Sequence, residues 1–230
     1  VVAGKADLRG SPREKALAGF AALLTEAPWS VEPADIDRLR AASVSEDGIE
    51  QAITVAACFN YFPRVADGTG IEFDYESPLS RLSIDLAREA LPRPPRSTWN
   101  PAVDGSRIPV FPRRAHAQPA IERWRAYLFE RDAPLSRKER RVVARAVAEE
   151  LCDAGALARW DDAKAANARD EALCTYAKKL TLTPWAVGAA DLEPLRAQGL
   201  DDHAILDVIS LVAHQNTISR MHHGLAAMRG

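Results

Sequence analysis

Two short stretches hold the residues best placed to do chemistry. "CFNYFPRVADG" runs from Cys58 to Gly68, and "HQNTISRMHHG" runs from His214 to Gly224. Each spaces Asn, Arg and Gly at steps of four: Asn60, Arg64, Gly68 and Asn216, Arg220, Gly224. On a helix, Asn60, Arg64 and Asp67 stand at i, i+4 and i+7 and share one face, as do Asn216, Arg220 and His223. That face continues an apolar stripe, so a guanidinium on it must be paired or must line a cavity. Two readings stay open. Arg64 and Arg220 bond carbonyls or carboxylates of neighbouring segments, or Asn60, Arg64, Asp67, Asn216 and Arg220 form a small polar pocket that grips a carboxylate ligand. His223, on the face of Arg220, is the acid–base candidate, because imidazole titrates near neutral pH.

The thiols offer a second chemistry. Cys58, Cys152 and Cys174 are odd in number and far apart, with no CxxC spacing among them. That argues against a disulfide framework, a zinc ribbon or a dithiol redox motif, and for a reducing, cytoplasmic setting. Cys152 follows two glutamates near the end of a predicted helix, surroundings that disfavour a nucleophilic thiolate. It reads as a structural cysteine, with a one-cysteine peroxidase as the alternative; Cys58 and Cys174 read as packing residues. His222 and His223 diverge by about 100° on a helix, and neither stands four residues from His214. Neither a metal site nor a cofactor is expected.

Composition bounds the class. The chain has 230 residues, 47% hydrophobic and 27% charged, with a net charge of −2, which is ordinary for a globular protein with a sizeable core. Nothing in that balance invites nucleic acid or an acidic membrane surface. No apolar run approaches the roughly 18 residues needed to cross a bilayer. The start, "VVAGKADLRG", shows no signal peptide and no Met, as expected of a trimmed chain or an interior fragment.

The elements that must position these residues come as a repeat. Arg13 to Gly68 aligns with Arg169 to Gly224 without a gap, at an offset of 156, with 20 identities over 56 positions. Thr25, Pro28, Trp29, Val31, Asp35, Leu39 and Arg40 match Thr181, Pro184, Trp185, Val187, Asp191, Leu195 and Arg196. Each copy reads as three helices. The first carries the stripe Leu17, Phe20, Ala21, Leu24 and stops before Pro28. The second runs from about Pro33 to Ala42 and the third from about Glu46 to Asp67, with Ile49, Ile53, Ala56 and Ala57 on one face. Trp and the aliphatic stripes are assigned to the core. Gly68 and Gly224 are expected to end their helices in left-handed caps. The chain divides into a first lobe (1–76), a proline-rich connection (77–118) and a second unit (119–230). In that unit a cysteine-bearing helical segment (119–166), opened by a Ser136/Glu139 capping box, precedes the repeat lobe (167–230).

The pattern "REKALAGFA…LT…P…V…AD…LR…A…FNYFPRVADGTGIE" resembles the C-terminal part of peroxidase-related proteins of the alkylhydroperoxidase D (AhpD)-like and carboxymuconolactone decarboxylase superfamily. "LSRKERRVVARAVAEELCDAG" is similar to the segment that precedes it in that family. The resemblance implies an all-α, AhpD-like bundle that assembles as a homo-oligomer, Val55, Phe59 and Phe62 needing cover. It also implies an oxidoreductase motif of Glu, Cys-x-x-Cys and His. Carried over, the first Cys falls on Cys152, the second on Gly155, the His on Arg159 and the Glu near Arg140 or Arg141. In the two repeat lobes the Cys, Cys and His positions fall on Asn60, Pro63 and Asp67, and on Asn216, Ser219 and His223. The first copy lacks its own cysteine-bearing segment, which would precede Val1. The expected function is therefore a degenerate binding or scaffold module, with a small-molecule ligand as its possible partner. The alternative is a peroxidase-related or decarboxylase-like enzyme working through Arg220 and His223 or through Cys152.

Overall fold

Helix signals in the sequence translate directly into helices. The computed structural model describes residues 10–71 and 111–230, and no strand occurs among them. The first lobe holds α1 (Pro12–Glu26), α2 (Pro33–Ala41), α3 (Glu46–Phe59) and α4 (Tyr61–Thr69). Then come α5 (Gln118–Phe129), α6 (Arg137–Glu150) and α7 (Ala154–Arg159). The second lobe is α8 (Ala168–Leu182), α9 (Glu193–Ala197) and α10 (Asp202–Arg229). No helix among the described residues is long and apolar enough to cross a membrane. Of the expected connection over 77–118, the part up to residue 110 lies outside the described residues.

The repeated positions do repeated work. Ser11 and Asn167 cap α1 and α8, and Ser45 and Asp201 cap α3 and α10, each side chain accepting a backbone N–H. Residue types differ at these caps because Ser, Asn and Asp all present an acceptor there. Asp35 accepts the Glu32 N–H and Asp191 the Gly188 N–H, both at 2.9 Å. Arg40 bridges Asp37 and Glu46; Arg196 bridges Glu193 and Asp202. The Ser136/Glu139 capping box closes reciprocally at the start of α6.

The third helix differs between copies. In the second it is one continuous helix, α10; in the first it breaks at Asn60 into α3 and α4, where a single helix is expected from the pattern. Pro63 has no N–H for the Phe59 carbonyl, whereas Ser219 at the matching position lets α10 continue. The front half of α10 packs with α6 and α8 in one apolar core, and its rear half (Ile218, Met221, Leu225) joins α1, α2 and α3 in the other. One helix therefore ties both lobes together. Phe111 also enters the first core, and the Arg113 N–H donates to the buried Glu50 carboxylate at 2.9 Å.

The capping role expected of Gly68 and Gly224 is corrected by the structure. Gly68 lies inside α4, whose left-handed cap is Gly70 (φ 66°), and Gly224 lies inside α10. Both are glycine because another helix crosses there. A Cβ on Gly224 would stand 2.7 Å from Ile53 Cγ2, and one on Gly68 3.0 Å from Ile209 Cγ2. Ile53 and Ile209 are themselves repeat partners, so the crossing is reciprocal. Gly224→Ala should therefore destabilise by about 1–2 kcal/mol in denaturant melts, overpacking exceeding the helix-propensity gain. In an Ile53→Ala background the same change should cost nothing, because the stiff branched side chain it strikes is gone; an equal cost in both backgrounds would refute the crossing as its cause.

Candidate functional site

Arg64 and Arg220 exchange places across the two lobes. From α4, Arg64 donates through one terminal nitrogen to the Asn60 carbonyl (2.8 Å) and Oδ1 (3.1 Å), and through the other to the Thr181 carbonyl at 2.8 Å. From α10, Arg220 donates to the Asn216 carbonyl (3.1 Å) and Oδ1 (2.8 Å), and to the Thr25 carbonyl at 2.9 Å. Asn60 and Asn216 are fixed in turn: their amides donate to the Thr25 and Thr181 hydroxyls, each at 3.0 Å, and to the Ala56 and Val212 carbonyls. Thr25 and Thr181 sit in the last turns of α1 and α8, where carbonyls lack helical partners. Each guanidinium thus caps the C-terminus of the other lobe's first helix, where a cation is favoured.

These are costly cations. Both side chains are buried, and the Nε–H of each has no partner. Burial, only partly offset by Asp67, pushes Arg64 down to about 10. Burial and then the charge of Arg64 push Arg220 far below the usual arginine range. The site thus gathers two guanidinium groups supported mainly by carbonyl dipoles.

The pair borders a cleft of about 980 Å³. Its apolar walls come from Leu17 and Ala21 of α1, Val55 and Phe59 of α3, and Pro184 and Trp185 after α8; Asn60, Asp67, Thr25 and Thr181 add polar groups beside the arginines. The sequence assigns tryptophan to the core, yet Trp185 is 41% exposed and, like Trp29, lines this cleft. Burial raises the Asp67 carboxyl, and Arg64 works against that rise. Of the candidate residues, Asn60, Arg64, Asp67 and Arg220 meet at the cleft; Asn216, Cys152 and His223 are not on its lining. Thr25 and Thr181 were visible only as repeat identities, since a backbone carbonyl's role leaves no mark on residue type.

His223 and Cys152 belong to a different corner. His223 Nε2 lies 2.8 Å from the Leu151 carbonyl, and His222 Nδ1 lies 2.7 Å from Asp153 Oδ2, so both histidines clasp the turn after α6. Cys152 sits within that turn in left-handed backbone (φ 55°). Burial would raise the Asp153 carboxyl, but His222, His223 and the Ala156 N–H outweigh it and hold it well below the carboxylate range. Burial lowers His223 against the opposing pull of Asp153 and the Leu151 carbonyl. Arg140, near which the resemblance would put a Glu, is fully buried and bonded to four carbonyls and to Asp207 at 2.6 Å. Burial pushes the Cys174 thiol up to about 11 and raises Cys58 as well. No cluster of three or more metal-ligating side chains occurs among the described residues.

No protein-family model and no curated protein matches this chain.

His214 is buried with neither ring nitrogen bonded, packed edge-on against Trp124 at 4.4 Å between centroids. Burial, then the charges of Arg125 and Arg159, pushes it down to about 3. The folded form therefore disfavours the proton, and the unfolded chain binds it more readily between pH ~6.5 and ~3. Stability should be full above that window and fall as pH drops through it. His214→Phe should flatten the slope of stability against pH there, whatever its absolute stability, and an unchanged slope would count against the assignment. Arg64→Ala and Arg220→Ala should each cost about 1–3 kcal/mol in denaturant melts by orphaning carbonyls and the Asn side chain. Arg64→Lys should not restore the loss, since an ammonium cannot fork between Asn60 and Thr181; melting temperatures unmoved by either Ala variant would contradict the structural role.

Proposed function

We propose that the chain is a binding module on an AhpD-like helical scaffold, without dithiol peroxidase chemistry, whose binding surface is the cleft between the first lobe and the end of α8. One observation carries this reading: a large cleft with mostly apolar walls, closed by two buried guanidinium groups, has no thiol on its lining. Pockets of that make-up serve binding, their few polar groups orienting what enters. An apolar body with an acceptor at one end suits the walls and the Arg64/Arg220 pair. Dithiol peroxide reduction, by contrast, needs a thiolate and a resolving thiol nearby. Cys58 and Cys174 are pushed toward the thiol form, and Cys152 lacks a neighbouring cysteine in sequence.

An apolar fluorescent sulfonate, 1-anilinonaphthalene-8-sulfonate, should bind the folded chain saturably. Val55→Glu should weaken that binding by about tenfold, since a carboxylate on an apolar wall must be desolvated. Peroxide with a dithiol reductant should give no sustained turnover. Reductant-dependent turnover together with an intramolecular disulfide in mass spectra would overturn the proposal.

A further inference from the structure

The two lobes present the same trough, and among the described residues only one trough is covered. In the second lobe, Leu173 and Ala177 of α8 and Val208, Leu211 and Val212 of α10 share one core with the inner face of α6, and each is 0% exposed. In the first lobe the positions 156 residues earlier are Leu17, Ala21, Ala52, Val55 and Ala56, and all five line the cleft. Val55 is 47% exposed where Leu211 is 0%, and Phe59 is 68% exposed where Gln215 is 2%. No described helix holds the place on α1 and α3 that α6 holds on α8 and α10.

We infer that the first-lobe trough is a docking groove for one amphipathic α-helix, built like α6, of a partner protein. The inference rests on the reading of the cleft as a binding surface and names its occupant. Its walls are two helical ridges, one at positions 17 and 21 and the other at 52, 55, 56 and 59, and a third helix packs into the groove between such ridges. The matching face of α6 alternates branched and small residues, Val143, Ala144, Val147 and Ala148, before Leu151, with charge on the outside. Polarity agrees as well. The C-terminal turn of α6 gives its Leu151 carbonyl to His223, and Leu151 itself reaches the margin of the first-lobe cleft. A helix lying the same way in the first lobe would end at Arg64 and Asp67. There its last carbonyls lack helical partners, and Arg64 and Arg220 each keep an unused N–H. Asp67 replaces His223 and offers an acceptor, so the occupant should carry a lysine or arginine in its last turn, where helices favour one.

The probe is a fluorescein-labelled peptide with the sequence of residues 135–153 of this chain, carrying Cys152→Ser, titrated by anisotropy against the intact 230-residue protein. Saturable binding of one peptide per chain is expected, with hydrogen-exchange protection gained in α1 and α3. Val55→Glu, at an exposed position that leaves the fold intact, should weaken it by about tenfold. A peptide with Val143→Asp and Val147→Asp should not bind. Peptide binding indifferent to Val55→Glu overturns the inference, as does absence of binding. A chain that light scattering shows to be a dimer, and Val55→Glu a monomer, also overturns it in favour of a second copy. If the sulfonate binds at the cleft and the peptide does not, the helix falls while the cleft remains a binding surface; if neither binds, both fall.

Discussion

Two guanidinium groups, each held by its own Asn and reaching the last turn of the other lobe's first helix, set the geometry on which the remaining contacts depend. A helix that stops before Pro28 or Pro184 leaves carbonyls without donors, and burying that end requires a donor from elsewhere. Arginine supplies several in one plane, enough to bond its own helix and the opposite lobe together. Because Arg64 serves Thr181 and Arg220 serves Thr25, neither lobe completes its first helix alone. The interface between them is therefore fixed by polar satisfaction as well as by apolar burial.

Reciprocity extends outward from this pair. Gly68 admits Ile209 and Gly224 admits Ile53, letting helices cross where a Cβ would crowd the facing isoleucine, most tightly at Gly224. Around the crossings α10 contributes its front half to one core and its rear half to the other. The asymmetries then stand out. Pro63 splits α3 from α4 where Ser219 leaves α10 whole, and α6 covers one trough while no described helix covers its counterpart. That counterpart is the surface on which the proposed binding function rests.

Electrostatics restrict what the buried groups can do. Arg140 is consumed by carbonyls and Asp207, His222 and His223 by Asp153 and the Leu151 carbonyl, and His214 stays neutral among aromatic rings. Groups so completely engaged hold the structure in register but have little freedom to take up a proton or a substrate. The cleft, with its exposed apolar walls, is the contrasting environment.

Much of the architecture was legible in the residues themselves. The gap-free offset of 156, the apolar stripes and the Pro and Ser/Glu punctuation determined an all-helical chain with two copies of one lobe, because helix periodicity and capping are local. The Asn-x3-Arg pairs were legible as buried polar anchors for the same reason: a guanidinium on an inward face needs partners. Only the tertiary structure decided which partners those are, since Thr181 and Thr25 act through backbone carbonyls that residue type does not encode. It also moved Gly68 and Gly224 from caps to crossings, because a close approach between helices distant in sequence leaves the same residue as a left-handed turn. Val55, Phe59 and Phe62 were legible as apolar faces needing cover, whereas the exposure of Trp185 was beyond the sequence. A tryptophan reads as core whether or not another segment covers it, and coverage is a property of the assembled fold.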